Sequence, residues 1–237
     1  MRAFVIKLKD RQKDEVKRLR ESIQETKSPL ELNIWEATEP DTIDRNLSRL
    51  KYLDKNDWKW TWPTSASENH LDMKTGIFKF AYGAADQNKK IATSLSHVTL
   101  WDAIVQMNET IVVFEADALL TRKFNPDEMG DAKVCGLNDP RGATRRADVF
   151  HKRVSSRQGV QPVPTVNQAG EAPVPQGLAG HSAYYITPEG AKELLDKVTD
   201  YGMWPNDAYM CKELFPWIRV VYPYYTKVQG TVSTTTR

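Results

Sequence analysis

The sequence predicts an α/β fold built on a mostly parallel mixed sheet flanked by helices, and three observations carry that expectation. Short β-rich apolar runs alternate with amphipathic helical stretches at both ends of the chain. Each such strand–helix–strand unit needs a crossover, which favours parallel neighbours. The chain has 237 residues, 40% of them hydrophobic and 10% aromatic, enough to bury a core without disulfide or metal staples.

Phe4 to Leu8 reads as the first strand. Asp10 is positioned to cap the helix that follows, in which Val16, Leu19 and Ile23 recur at helical spacing. Leu32 to Ala37 then forms the second strand. Between Asp41 and Asp86 no period survives. Inside this stretch Trp58, Trp60 and Trp62 alternate with polar residues, so an extended backbone would put three indoles on one face. Such a face serves either as core packing or as a stacking platform for a sugar or base. Ile91, Leu95, Val98, Trp101 and Val105 mark a helix of about four turns. Ile111 to Phe114 is a buried strand that ends on Glu115-Ala116-Asp117. Lys133 to Leu137 and Ser182 to Ile186 are further strands. Thr187-Pro188-Glu189 supplies an N-cap, a proline in the first turn and an acid at the positive helix end. Ile218 to Tyr222 is the last strand, before a Ser/Thr-rich tail expected to fray.

Residues 138–180 break the pattern. Proline and glycine are frequent there and large apolar residues are few, so the stretch reads as a long Pro/Arg-rich loop in a single domain spanning 1–237. Between residues 139 and 157 Arg141, Arg145, Arg146, Lys152, Arg153 and Arg157 outnumber Asp139 and Asp148 by four. This is a solvated basic loop or a surface that tracks phosphates. Over the whole chain the formal charge is only +2, which excludes a polyelectrolyte. The two cysteines, Cys135 and Cys211, exclude zinc ribbons and disulfide scaffolds; buried free thiols are expected, with one disulfide as the alternative. No apolar run is long enough for a signal peptide or a transmembrane helix, and a cytoplasmic location is expected.

Glu115 and Asp117 are the residues most suggestive of chemistry. Leaving an apolar strand together, they would meet at the carboxyl edge of the sheet, where open α/β sheets bind ligands. Their all-oxygen donor set suits Mg²⁺ or Mn²⁺.

Several segments taken in order resemble glycosyltransferase family 25, which includes lipooligosaccharide and collagen galactosyltransferases. They are Val5-Ile6-Lys7-Leu8-Lys9-Asp10-Arg11, Ser94-Leu95-Ser96-His97 with Trp101, Phe114-Glu115-Ala116-Asp117, His181-Ser182-Ala183-Tyr184 with Gly190-Ala191, and Pro205-Asn206-Asp207. Two departures stand out: Ala92-Thr93 replaces the family's Gly-Cys, and Ala116 replaces the middle acid of its metal motif.

The resemblance implies a GT-A-like, Rossmann-like fold and inverting, metal-dependent transfer from a nucleotide-diphosphate sugar, UDP-linked, to a hydroxyl. By the same resemblance Asp117 and His181 would hold the Mn²⁺ or Mg²⁺, and Arg11, His97 and Glu115 the donor nucleotide. Asp207 would be the base. Trp58, Trp60, Trp62, Arg145 and Arg146 are the candidate acceptor contacts. The acceptor would be a lipid-linked or lipopolysaccharide-type glycan, or double-stranded DNA carrying hydroxymethyl bases as in a bacteriophage member. A decayed, non-catalytic nucleotide- or nucleic-acid-binding protein is the alternative from another class.

Overall fold

A computed structural model describes residues 1–81, 86–143, 147–166, 177–178 and 180–230. The first half of the chain comprises β1 (Arg2–Lys7), α1 (Lys13–Glu25), β2 (Glu31–Glu36), α2 (Ile43–Leu47), β3 (His70–Asp72), β4 (Ile77–Lys79) and α3 (Gln87–Met107). It continues through β5 (Ile111–Glu115), β6 (Ala118–Leu120), β7 (Val134–Gly136), α4 (Ala147–Val154) and β8 (Gly159–Pro162). The last elements are β9 (Ala183–Ile186), α5 (Pro188–Tyr201), α6 (Asn206–Tyr209), β10 (Arg219–Tyr222) and β11 (Thr226–Val228).

Alternation along the strands fixes the layers. Ala3 and Val5 of β1, with Val112 and Phe114 of β5, face one core, which α1 covers through Val16, Leu19 and Ile23. Ile6, Ile111 and Val113 face the other, covered by Leu95, Val98 and Trp101 of α3 and by Leu194, Leu195 and Val198 of α5. The main sheet has seven strands in the order β2-β1-β5-β9-β7-β10-β8. β2, β1 and β5 run parallel, as do β7 and β10. β9 runs against both β5 and β7, and β8 against β10. The sheet is thus mixed, with most of its strands pointing one way.

Two parallel neighbours set up the site. Ile6 of β1 pairs with Glu115 of β5, so the β1–α1 turn and the Glu115-Ala116-Asp117 triplet leave the same sheet edge. From β1 the chain returns through α1 to the outer side at β2, which leaves a crevice at the switch between β1 and β5.

Local chemistry explains the element ends, and in places overrides the sequence reading. Thr187 caps α5 as expected, its side chain accepting from Gly190 N at 3.1 Å. Gly190 itself is dictated by close packing, since a Cβ there would lie 2.5 Å from the Lys133 carbonyl. Asp10, by contrast, does not cap α1. The capping position is Gln12, left-handed at φ 63°, and its side-chain oxygen closes the turn by accepting from Leu8 N at 2.9 Å. Helix α3 is longer than its apolar stripe, with 21 residues, because Asp86 caps a polar first turn by accepting from Asn88 N at 2.9 Å. Farther along α3, buried Asp102 accepts from the backbone N–H groups of Lys51, Tyr52 and Leu53 at 2.7–3.2 Å and anchors the loop after α2.

Residues 138–180 are not one long loop. They contain α4, which buries Val154, and β8, an edge strand that tolerates Pro162 because no further strand needs its missing N–H. Cys135 and Cys211 are free and buried, which removes the disulfide alternative. The expected fraying of the tail falls at 231–237, outside the described residues. No helix among the described residues is long and apolar enough to cross a membrane.

Candidate active site

The centre of the site is the end of β5. Glu115 is its last residue, Ala116 turns back into the core, and Asp117 stands in the tight link to β6. From α3, His97 brings Nε2 to 3.3 Å from Glu115 Oε1. From the turn before β9, His181 lies edge-on to His97, with ring centroids 5.2 Å apart. His97, Glu115 and His181 place one ligand-type atom each within 4.8 Å of one another.

The donors and acceptors around these rings are well defined. Trp101 Nε1 donates to Tyr184 Oη at 2.9 Å, and Tyr184 Oη meets His97 Nδ1 at 2.9 Å. Asn206 Nδ2 lies 2.9 Å from His181 Nδ1, and His181 Nε2 faces Met210 Sδ. Burial holds His97 neutral, its pKa lowered to about 3, and pushes His181 well below the ordinary histidine value. The His97–Glu115 contact is therefore a hydrogen bond from a neutral ring. All four ring nitrogens have partners within the protein, and His181 also belongs, with His97 and Glu115, to the group whose ligand atoms could hold a metal ion.

The carboxylates are arranged differently. Burial, and after it the charge of Asp207, raise Glu115 to about 7. Asp117 is also raised to about 7, first by burial and then by the charges of Glu115 and Glu15. Asp117 Oδ1 is buried and has no hydrogen-bond partner among the described residues. Ser182 Oγ is likewise buried and unpartnered, next to the carbonyl that accepts from Glu115 N at 2.8 Å. Mutual repulsion and an unsatisfied hard oxygen make Glu115 and Asp117 a fit for a divalent cation. Asp207, in α6, has an exposed side chain but is hemmed in by protein. Loss of surrounding water raises its carboxyl, which also accepts from Ala208 N at 2.9 Å.

The triplet is held from behind by the end of the chain. β11 pairs with β6, and Gln229 N donates to Asp117 O at 2.8 Å. Gln229 Nε2 donates to Ala118 O at 2.9 Å, Glu15 O at 3.0 Å and Ala116 O at 3.3 Å.

His97, Glu115, Asp117, His181 and Asp207 thus lie close together at the end of β5. Arg11 lies exposed in the β1–α1 turn. Trp62 is 3% exposed and stacks on Trp204, so it belongs to the core and has no face for a base or sugar. Trp58 and Trp60 are half-buried against the same core, and their segment is pinned by Met203 N donating to Lys59 O at 2.7 Å and Thr61 N donating to Met203 O at 2.9 Å. Arg145 and Arg146 lie outside the described residues. Tyr184, Trp101 and Asn206 are the site residues whose roles sequence reasoning missed. They stand inside the matched segments, but their functions depend on hydrogen-bond direction across distant elements.

A carboxylate centre at the carboxyl edge of an α/β sheet, beside the switch between β1 and β5, lies where open α/β sheets bind their ligands. Residues 1–210 match glycosyltransferase family 25 (LPS biosynthesis protein), and the chain belongs to that family. It is a glycosyltransferase. Among solved structures, the galactosyltransferase LgtC in complex with donor and acceptor sugar analogues aligns over 93% of this chain and 73% of its own, at 10% identity and a TM-score of 0.43. The apo structure of the bifunctional glycosyltransferase WbbM aligns over 93% of this chain and 38% of its own, at 11% identity and a TM-score of 0.41. No curated protein sequence matches the chain.

Proposed function

We propose that this transferase moves a sugar from a nucleotide-diphosphate donor, UDP-linked, to a hydroxyl of a lipopolysaccharide-type glycan, with inversion at the anomeric carbon. The observation that carries the reading is the buried, unpartnered Oδ1 of Asp117 beside Glu115, both desolvated at the sheet edge where a donor's phosphates would lie. Asp117 and Glu115 would hold Mn²⁺ or Mg²⁺, which when bound neutralises charge developing on the diphosphate leaving group. His97 orients Glu115, and His181 packs behind it as a neutral ring. Asp207 takes the proton of the acceptor hydroxyl as its oxygen bonds to the anomeric carbon and the bond to the diphosphate breaks. Its raised pKa brings the carboxylate closer to the working pH, as a general base requires. Arg11, in the turn beside Glu115, is assigned to the donor's phosphates.

For the acceptor, a glycan fits better than a DNA base. The matched family is described by LPS biosynthesis, which is glycan assembly, whereas the buried Trp62 offers no open face to a sugar or to a base. Lys152, Arg153 and Arg157 are exposed on and after α4 and are assigned to solvent or to the acceptor's anionic groups. The test is incubation of the full chain with a panel of nucleotide sugars, with and without Mn²⁺, reading the diphosphate released. Metal-stimulated release of UDP is expected. Absence of release from every donor would leave the non-catalytic reading, and a sugar mass shift on hydroxymethylated DNA but not on glycans would replace the acceptor.

A further inference from the structure

The polar chain behind Glu115 has a direction that can be deduced atom by atom. Trp101 Nε1 carries a proton and no lone pair, so at 2.9 Å it can only donate to Tyr184 Oη. Tyr184 must then place its own proton elsewhere, and the acceptor within reach is His97 Nδ1, at 2.9 Å. A neutral His97 that accepts at Nδ1 carries its proton on Nε2, which faces Glu115 Oε1 at 3.3 Å. The three residues before Glu115 are each 0–1% exposed, so water does not compete for these atoms.

The sequence spacing serves the same end. His97 and Trp101 are one helical turn apart and share a face of α3. Tyr184 lies on β9, the strand next to β5, where it pairs with Val113, two residues before Glu115.

We infer that Tyr184 is a positioning residue: with Trp101 it fixes His97 as the Nε2–H tautomer, which holds Glu115 Oε1 and leaves the other carboxylate oxygen for a divalent cation. This rests on the reading of Glu115 as part of the cation and donor site. It assigns a purpose to two residues that otherwise pass for core aromatics. Partners that orient a ligating side chain from behind usually matter ten- to hundredfold to metal affinity.

The test uses the full chain labelled with ¹⁵N-histidine and freed of metal. In the wild type His97 should give the signals of a ring protonated at Nε2 and accepting a hydrogen bond at Nδ1. In Tyr184→Phe the Nδ1 signal should move to that of a nitrogen without a donor, and Mn²⁺ affinity, read from the free-ion paramagnetic resonance signal, should weaken about tenfold. In Trp101→Phe, which frees the Tyr184 hydroxyl to accept as well as donate, the preference of His97 for the Nε2–H form should weaken and Mn²⁺ affinity should fall less than in Tyr184→Phe. A wild-type His97 protonated at Nδ1, or a folded Tyr184→Phe chain that binds Mn²⁺ as tightly as wild type, would overturn the inference. Failure of the wild type to release diphosphate from any nucleotide sugar would overturn the proposed transfer instead, and both the tautomer and Mn²⁺ measurements would still decide the role of Tyr184.

Discussion

Glu115 and Asp117 are one residue apart, yet their surroundings are opposites. Behind Glu115 stands a buried chain of donors and acceptors, Trp101 to Tyr184 to His97, in which each group meets a partner. At Asp117 one carboxylate oxygen is buried with no hydrogen-bond partner among the described residues. A fully paired buried network makes a rigid scaffold, whereas a lone buried acceptor costs free energy until something supplies positive charge or a proton. The contrast separates the part of the site that positions from the part that receives.

The largest way to break the contrast is to remove the receiving oxygen. Asp117→Ala should abolish metal-stimulated diphosphate release, a loss of more than about a hundredfold, since a direct ligand should matter more than the partners behind it. Its circular dichroism and Tm should hold, because the carboxylate lost is desolvated and repelled by Glu115. Retained activity in the folded variant would end the cation assignment. Next comes Asp207→Asn, which keeps shape but cannot take a proton; kcat should fall about 10²- to 10³-fold with donor KM nearly unchanged. Equal effects on kcat and KM would assign Asp207 to binding.

A third change sharpens the comparison by striking a polar cluster that only supports the fold. Asp102→Ala leaves three backbone N–H groups without their acceptor and should cost about 2–3 kcal/mol in urea unfolding, with Mn²⁺ affinity little altered. The smallest effect is on pH dependence. In the folded chain Glu115 and Asp117 hold their protons to about pH 7. Unfolded, they release them near pH 4. The folded state therefore binds more protons across that window, and stability falls as pH rises through it. The metal-free Tm should drop between about pH 4 and about pH 7, and Asp117→Asn should flatten that drop. A slope unchanged in the variant would mean that the carboxylate pair is not its source.

How much of this was legible in the sequence depended on whether burial alone decides the element. β1, α3, β5 and α5 announce themselves because each buries an apolar run or stripe, β1 and β5 toward both cores and α3 and α5 toward one. An apolar run carries no direction, however, so the reversal of β9 between β5 and β7 was invisible. The pairs β3–β4 and β6–β11 have three-residue strands, too short for a period to show. Helix α4 and β8 hid inside a Pro- and Arg-rich stretch that reads as a loop.

In the site, the acids and histidines came from ordered family segments, and all five converge. The indole alternation at Trp58, Trp60 and Trp62 misled in part, since period-two spacing does not say whether a face meets solvent or Trp204. The roles of Trp101 and Tyr184 could not be read, because they depend on which atom donates to which across elements more than eighty residues apart.

The match to the family stops at residue 210, but the backing of the Glu115-Ala116-Asp117 turn does not. Gln229 grips the main chain at Ala116, Asp117 and Ala118, and β10 completes the sheet between β7 and β8. Trimming the protein to the matched stretch would amputate the floor beneath Asp117 while leaving every quoted motif residue in the sequence. Activity lost on such trimming would say nothing about those motif residues; it would mark a strand laid down last that finishes a site begun at Val5.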